Sequence, residues 1–467
     1  MFIFVAKKLF IHISMEFEVK IKDKEEQFEF SIIKNDNLYS LVDTENVPLL
    51  EMELDFENKS FRTISNRENI DENELQKIYE SLFVRILEME QSGADSFGEK
   101  QQLEQNPYDP EKIKVRTDKL SITLLSQMID SGDIDLNPDF QRNFVWDSFQ
   151  KSRLIESILL RIPLPMFYFA EDFEGKLSIV DGLQRISTIK EFMDNKFPLK
   201  NLQYLKDSCE GRYFKDEKNK KGLDVKYTRW FNLTTISANI IDPTSPYKVK
   251  YDIFRRINTG GKPLNNQEIR NCLTGQGLRD VLKTMVSLGE FKSATDNSIR
   301  STRMEDQEIV LRYLAFYDIF EEKGNIDTYS GYMENFLDDF TERHNKTPKD
   351  NFIKQIEAFK NAMKNAEYLI GKKYAFRKIL PKNISEKANK QLINKALFVC
   401  TSLLLSRYSH NSVKEMNEQE ILTELIAKAI ESDEELYRYL SYGTNGKNNL
   451  TYTFDTLKEL FSKNIKV

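Results

Sequence analysis

Histidine and cysteine are scarce in this chain of 467 residues, which contains three of each. The cysteines lie far apart and form no Cys-x-x-Cys pair, which argues against a disulfide framework or a zinc–thiolate site and fits a reducing compartment. The histidines also stand singly, so HExxH metalloproteases, clustered-histidine nucleases and Ser-His-Asp hydrolases lack their essential residues. Any chemistry must therefore depend on carboxylates, guanidinium and ammonium groups, and backbone amides.

Long hydrophobic segments are also absent. The longest apolar run extends from Ala396 to Leu405, well short of the roughly 18 residues that a membrane-spanning helix needs. At the N-terminus Lys7 and Lys8 follow a short apolar stretch, whereas a secretory signal has its positive charge first. We therefore expect a cytoplasmic protein. Met15 opens a more strand-like pattern, so both it and the first residue are candidate starts.

Acidic residues slightly outnumber basic ones and are unevenly distributed. The chain has 68 Lys and Arg against 74 Asp and Glu, a net charge of −6, which argues against a protein that coats nucleic acid over its whole surface. The first 100 residues contain 12 basic and 22 acidic side chains, and the rest contain 56 and 52. Ordinary surface charge is the simpler interpretation of this asymmetry, and an acidic module that regulates a basic cleft is the sharper one.

The N-terminal segment, residues 1–105, is predicted to be a small acidic α+β module with a linker. Loose apolar alternation between Glu16 and Phe61 predicts at least two antiparallel strands. Apolar residues then recur at three- and four-residue steps after Asp71, which predicts a helix. The sequence turns polar from Gln91 onward, which is typical of a linker.

The next segment, residues 112–275, is predicted to be an α+β domain with a small mixed sheet. Two short strands are expected at 166–170 and 177–180, the second directly before a helix. Other helices should begin at capping residues, namely Ser121, Asp147 and either Asn265 or Asn266. From 276 to 467 the apolar pattern is almost wholly helical, which predicts a helical C-terminal domain.

The predicted strand–turn–helix unit around Asp181 is the most informative local feature. The first turn of a helix has unpaired amides and a partial positive charge, which suit phosphate. Gly182 would let a ligand approach the backbone, and Arg185 adds a forked donor set matched to phosphate oxygens. Asp181 could hold a metal ion, orient water or fix the arginine. The same pattern also occurs in purely structural turns.

Two further polar clusters are candidates for anion binding. Gln141 and Arg142 follow a proline in a loop, where the alternative is a surface arginine. A turn dense in donors and free amides suits anions and contains Arg256, Asn258, Thr259 and Gly260. Its alternative is a glycine C-cap before the next helix, on which Arg270 is another candidate.

Taken in order, these motifs resemble the N-terminal domain family of GmrSD-type restriction endonucleases. They are Pro138-x-Phe140-Gln141-Arg142-x-x-x-Trp146, Glu156-Ser157-Ile158-Leu159 with Ile162-Pro163-Leu164-Pro165, Val180-Asp181-Gly182-Leu183-Gln184-Arg185, and Arg256-Ile257-Asn258-Thr259-Gly260-Gly261 with Gln267-Glu268-Ile269-Arg270. Arg303-Met304-x-Asp306-x-Glu308 resembles the helical continuation of that family. The similarity covers residues 115–320. The family is similar to the ParB and sulfiredoxin nucleotide-binding fold, which implies a core of that kind in the second segment.

The resemblance implies a nucleoside triphosphate site with Mg²⁺. Catalytic roles would fall on Asp181, Gln184 and Arg185, with Asp181 as the metal ligand. Nucleotide-binding roles would fall on Gly182, with Gln141 and Arg142 beside it. The other candidates for nucleotide binding are the donors of the turn described above, Arg256, Asn258, Thr259 and Gly260. Leu183 replaces a glutamine of the family motif and cannot hydrogen-bond, which bears on hydrolysis more than on binding.

The partner nuclease domain of this family uses a histidine-centred site. The C-terminal region offers only His344 and His410, in no HNH-like setting. We therefore expect that this chain lacks that nuclease, through loss or because a separate subunit supplies it.

Three functions remain open at this point. The first is a nucleotide-binding and hydrolysing module of a restriction-like defence system directed at phage or modified DNA. The second is a Mg²⁺-dependent nicking nuclease that uses Asp139, Glu156 and Asp181. The third is a non-catalytic DNA-binding regulator or scaffold. For DNA contact the basic stretch 372–390 is the main candidate, with Lys372, Lys373, Arg377 and Lys378 at its start, and a solvated surface is its alternative.

Overall fold

The computed structural model describes residues 11–17, 28–35, 38–42, 47–55, 60–67, 70–92, 114–136, 146–257, 264–385 and 387–466. Those residues form ten strands and eighteen α-helices, numbered in chain order. The protein is of the α+β class, as predicted, with two separate sheets followed by a helical region. None of the helices in these ranges is both long and apolar enough to cross a membrane.

The first sheet is an antiparallel meander packed against one helix. Its strands, adjacent in chain order, are β1 (Ile11–Phe17), β2 (Phe28–Asn35), β3 (Leu38–Val42), β4 (Pro48–Asp55) and β5 (Ser60–Asn66). The helix α1 (Glu72–Ser92) follows. Alternate residues of β4 are buried with one face of α1, which is the expected pattern for a sheet with one covered side. The predicted strands and helix are therefore confirmed, although β1 begins at Ile11 rather than near Met15.

The second sheet is mixed and has the order β6-β10-β8-β9-β7. Its strands are β6 (Val115–Ser121), β7 (Ile134–Asp135), β8 (Phe167–Glu171), β9 (Leu177–Asp181) and β10 (Thr235–Ile241). The pairs β10–β6 and β8–β9 are antiparallel, whereas β10–β8 and β7–β9 are parallel. The small mixed sheet predicted for this segment is thus present.

Helices surround this sheet. They are α2 (Ile122–Asp130), α3 (Ser148–Leu159), α4 (Leu183–Met193), α5 (Lys206–Cys209), α6 (Val225–Leu233), α7 (Tyr247–Ile257) and α8 (Asn266–Leu273). Phe167, Phe169 and Ile179 point to one face and share a core with α2, α3, α4 and α6. Val180 and Ile241 point to the other face and share a core with α7 and α8. Both faces of the sheet are therefore buried, and β9 ends between two helical layers.

The helical region is built around a buried central helix. Its members are α9 (Gln276–Ser287), α10 (Gly289–Ala294), α11 (Glu305–Lys323), α12 (Met333–Arg343), α13 (Ile353–Ile370), α14 (Lys395–Leu405), α15 (His410–Glu415), α16 (Ile421–Ser432), α17 (Glu434–Tyr439) and α18 (Lys447–Asn464). The apolar run seen in the sequence is α14, which packs against α11, α13 and α18. One hydrophobic cluster extends through these helices from Leu278 to Ile465. The division of the chain at residues 105, 112 and 275 stays a prediction.

Candidate functional site

The Asp181 motif lies where the sequence predicted it, at the junction of β9 and α4. Asp181 is the last residue of β9, Gly182 is the N-cap of α4, and Leu183 begins the helix. Gly182 has a φ of 99°, and a Cβ added there would lie 2.5 Å from Cδ1 of Phe167. The turn thus requires glycine both for its left-handed backbone and for the close approach of a buried ring.

Arg185 is held by four different groups. It donates from Nη2 to Oδ2 of Asp181 at 2.7 Å, from Nη1 to the carbonyl oxygen of Pro165 at 2.5 Å, and from Nη2 to that of Met166 at 3.3 Å. Its guanidinium carbon lies 4.3 Å from the centroid of the Phe167 ring. The side chain is only 12% exposed. Arg185 therefore connects the start of α4 to the segment that leads into β8.

Electrostatics at this pair are dominated by burial. Burial lowers the pKa of Arg185, and the neighbouring Asp181 carboxylate partly opposes that shift. The Asp181 side chain remains 37% exposed, so it is the more accessible partner. Of the three roles considered for this carboxylate, fixing the arginine is the one that the contacts display directly.

The other two residues of the motif point in different directions. Oε1 of Gln184 accepts a hydrogen bond from the backbone amide of Trp146 at 3.3 Å. Leu183 is buried in the core beneath the sheet. The departure from the family motif at Leu183 therefore lies among apolar side chains, and the residue does not face the polar side of the turn.

Several predicted binding residues lie outside the described residues. They are Gln141 and Arg142, which precede α3 in the sequence, and Asn258, Thr259 and Gly260, which follow α7. Arg256 is described, and it is an exposed residue near the C-terminal end of α7. Since α7 packs against β9, it belongs to the layer that borders the motif.

Glu156, a candidate carboxylate for a nicking site, is instead a structural residue. Its side chain is buried in α3 and accepts hydrogen bonds from the backbone amides of Gln203, Tyr204 and Leu205 at 2.7–3.1 Å. Burial alone raises the pKa of this carboxyl, but the three amides outweigh it and lower the pKa overall. The carboxylate is thus saturated, and the prediction that it binds Mg²⁺ is corrected. Asp139 lies outside the described residues.

Metal binding by several side chains has no support in the described ranges. They contain no group of three His, Cys, Asp or Glu side chains arranged to hold a metal ion. A cation at Asp181 would therefore have to keep most of its ligands from water and phosphate oxygens, which is the usual behaviour of Mg²⁺.

Two of the predicted DNA contacts are buried. Arg377 is 1% exposed and donates to the backbone oxygens of Gln391 and Thr295 at 2.5 and 2.9 Å. Lys378 donates to Oγ of Ser441 at 2.7 Å. These cations satisfy interior acceptors of the helical region, so their assignment to DNA is corrected.

The other two members of that basic stretch differ from each other. Lys372 is exposed, whereas Lys373 is half-buried and donates to the backbone oxygen of Ser385 at 2.8 Å. Their contact with DNA stays a prediction.

Arg270 connects the sheet domain to the helical region. It is 1% exposed, donates from Nε to Oδ1 of Asp338 at 2.6 Å, and also pairs with Glu334. Both carboxylates lie on α12. Burial raises the pKa of Asp338 to about 6, with the arginine opposing that shift. The candidate anion-binding arginine is thus a buried link between α8 and α12.

Glu268, from the same motif, forms a second link. It completes a capping box with Asn265 at the start of α8 and accepts from Nη2 of Arg303 at 2.8 Å. Nδ2 of Asn265 donates to the backbone oxygen of Arg303 at 2.9 Å. Two motifs that are far apart in sequence therefore form one hydrogen-bonded network between α8 and the short 3-10 turn that leads into α11.

Sequence reasoning missed the groups that position Arg185. The backbone oxygens of Pro165 and Met166 and the ring of Phe167 all contact its guanidinium. The Pro163-x-Pro165 motif was part of the family resemblance, but nothing in its spacing pointed to an arginine twenty residues later.

A cavity of about 1250 Å³ lies at the opposite end of β9. Leu177 and Ser178 line it, whereas Asp181 and Arg185 do not. Its walls come from the β8–β9 hairpin, the start of α7, the start of α9 and the loop after α12. The predicted site and this cavity are thus separate, and the cavity lies between the sheet domain and the helical region.

The fold and the turn together define a class of α+β domain. In this class a mixed sheet is covered on both faces, and an Asp-Gly-x-Gln-Arg turn lies at the start of a helix. Residues 123–274 match the family model described as the GmrSD restriction endonuclease, N-terminal domain. The resemblance predicted from the motifs is confirmed over that range, and this part of the chain is a domain of that family. No curated protein and no solved structure matches the chain.

Proposed function

We propose that this chain is a nucleoside-triphosphate-binding component of a restriction-like defence system. The main support for this proposal is the Asp181–Arg185 turn at the start of α4, which lies inside the segment that matches the GmrSD N-terminal family. The proposal includes a core related to ParB and sulfiredoxin, a cytoplasmic location and action on DNA. Hydrolysis of the nucleotide is the further step that the family resemblance suggests.

In this proposal phosphate oxygens meet the leading amides of α4. An α-helix leaves its first amides without intrahelical partners, and their dipoles favour an anion. Gly182, the N-cap of α4, makes no side-chain capping bond to these amides. Arg185, held beside Asp181, supplies charge at the same turn without any histidine.

Mg²⁺ fits this turn as a hydrated ion with one protein ligand. The half-exposed carboxylate of Asp181 would hold it, and the ion would neutralise phosphate charge there. Gln141, Arg142, Arg256, Asn258, Thr259 and Gly260 are proposed to complete the nucleotide site.

Thermal unfolding with ATP, GTP, CTP or UTP and Mg²⁺ tests nucleotide binding, because a ligand of the folded state raises the melting temperature. We expect at least one nucleotide to raise it, and Asp181→Asn to reduce the effect. Asp194→Asn is the matched control, since Asp194 is a half-exposed carboxylate at the other end of the same helix. Absence of any shift at millimolar nucleotide would contradict the proposal.

A non-catalytic regulator is the second candidate, and the contacts of Arg185 favour it. A guanidinium that already meets two carbonyls, a carboxylate and a ring is available to a transferring phosphate only if it releases Asp181. Nucleotide binding without release of inorganic phosphate would identify this alternative.

The nuclease of the system is proposed to lie on a separate subunit or to be lost. The two described histidines of the helical region support this, because each is engaged in its own local contacts. Nε2 of His344 lies 3.1 Å from Asp318, and Nδ1 of His410 lies 2.9 Å from Asn365. The nicking-nuclease alternative is weakened, because three backbone amides already occupy the carboxylate of Glu156.

A further inference from the structure

The hairpin cavity, as we name the space described above, is lined by basic side chains from several elements. The cations come from the β8–β9 turn, α7, α9 and the end of α12, and they are Lys176, Lys250, Arg279, Lys283, Arg343 and Lys346. They lie far apart in sequence, so the fold alone brings them together. Burial lowers the pKa of Lys250, whose ammonium donates to the backbone oxygen of Pro243 at 3.0 Å.

Four carboxylates also line the hairpin cavity, and three of them are engaged by neighbouring groups of the protein. Glu171 receives two hydrogen bonds from Arg116, at 2.6 and 2.8 Å. Asp172 accepts from two backbone amides of the turn, and Glu174 pairs with Lys176 at 3.2 Å. The six cations outnumber the four carboxylates, so the net charge of the cavity lining is positive.

The loop after α12 is fixed closely against the first turn of α9. A Cβ on Gly275 would overlap the backbone oxygen of Asn345, and one on Gly277 would overlap that of Thr347. The amide of Gly275 donates to Oδ1 of Asn345 at 2.5 Å. This close packing positions Lys346 between the two glycine contacts and over the cavity mouth.

An exposed aromatic ring stands at the same mouth. Phe173 is 60% exposed at the tip of the β8–β9 turn, and the ammonium of Lys346 lies 3.6 Å from its centroid. Tyr247 lines the wall, and its buried hydroxyl has no hydrogen-bond partner among the described residues. A ring beside convergent cations is the arrangement that binds unpaired bases and their phosphates.

We propose that the hairpin cavity binds a single-stranded segment of nucleic acid, with one base stacked on Phe173 and phosphates on Lys346, Arg343 and Lys283. This inference rests on the proposed function only in its premise that the protein acts on DNA. The volume exceeds the roughly 300–1000 Å³ of small-molecule sites, which favours a strand over a free nucleotide. A base inside a duplex is stacked on both faces against its neighbours and leaves no face for the ring, which favours a single strand over a duplex.

Fluorescence anisotropy of a labelled 20-nucleotide oligo(dT), measured over a series of salt concentrations, tests the proposal on the full chain. We expect Phe173→Ala to weaken binding about 5- to 160-fold, the range of base stacking on aromatic side chains. Lys346→Ala should flatten the slope of log affinity against log salt by about 0.7, as for one lost single-strand phosphate contact. Lys428→Ala, an exposed lysine on α16 that lies outside the cavity and outside the basic stretch 372–390, is the matched control and should change neither quantity.

A folding control, a duplex comparison and a nucleotide thermal shift distinguish this inference from the proposed function. Unchanged melting temperatures of the Phe173 and Lys346 variants would show that both fold, since these side chains are exposed. The inference would be overturned if a 20-base-pair duplex bound as tightly as the single strand. It would also be overturned if the Phe173 and Lys346 variants bound the single strand normally. Loss of the nucleotide-induced thermal shift in Phe173→Ala would overturn it as well, because the cavity would then be a mononucleotide site. Strand binding lost in the cavity variants, with no nucleotide shift in the parent protein, would support the inference and contradict the proposed function.

Discussion

Gly182 and Arg185 both pack against the ring of Phe167. The ring lies under the guanidinium and also against the position that a Cβ of Gly182 would occupy. A side chain at residue 182 would push the ring away from Arg185, and the arginine would then lose part of its support. The motif is thus a packing unit as well as a candidate phosphate site.

Gly182→Ala should destabilise the protein more than Gly132→Ala does. Both glycines have positive φ, but a Cβ at Gly132 would meet nothing within 4 Å, whereas at Gly182 it meets a buried ring. The left-handed backbone costs alanine about 1–2 kcal/mol at either position. The clash should add about 1–3 kcal/mol at Gly182 alone. Urea unfolding of the two variants measures the difference, and equal losses would contradict the packing described here.

At the scale of helices and strands, the sequence predicted those elements whose signals are local. Ser121, Asp147 and Asn265 each accept a hydrogen bond from a first-turn amide, as their positions before apolar helical patterns indicated. The strand β6 was missed because Val115–Ser121 is mostly polar and exposed. The helix α6 was also missed, because it follows a hydrophilic, basic stretch and is only nine residues long.

The candidate site was predicted only in part, for a related reason. The Asp181 turn is contiguous in sequence and could be found, whereas the contacts of Arg270 with Asp338 and of Glu268 with Arg303 depend on tertiary packing. Arg377 in a basic run looked like surface charge because a sequence does not record which acceptors lie inside the fold.

The link between α8 and α12 should be sensitive to pH through Asp338. Burial raises the pKa of this carboxyl to about 6 in the folded protein, above the ordinary value near 3.9. The folded state therefore binds the proton more tightly, so this stabilisation is present below about pH 4 and is lost as pH rises to 6. Compared with Asp338→Asn, the parent protein should lose up to about 3 kcal/mol of unfolding free energy over that interval. Parallel pH profiles of the two proteins would contradict this assignment.

At the scale of the whole molecule, the family motifs serve two purposes. Asp181 to Arg185 form the candidate nucleotide turn, while Glu268, Arg270 and Arg303 tie the sheet domain to helices α11 and α12. These ties give a physical route by which a change at the start of α4 could reach the helical region, since α8 also packs against β9. The acidic N-terminal 100 residues, with their own core, remain a candidate regulator of the basic hairpin cavity.

Hydrogen exchange with mass spectrometry, with and without saturating nucleotide and Mg²⁺, tests the central claim most directly. If phosphates are held by the leading amides of α4, exchange should slow in the peptide covering residues 182–186. Peptides from the β8–β9 turn should be unchanged by a mononucleotide. Slowed exchange confined to the β8–β9 turn and the start of α9, or no change at 182–186 with nucleotide bound, would contradict the account.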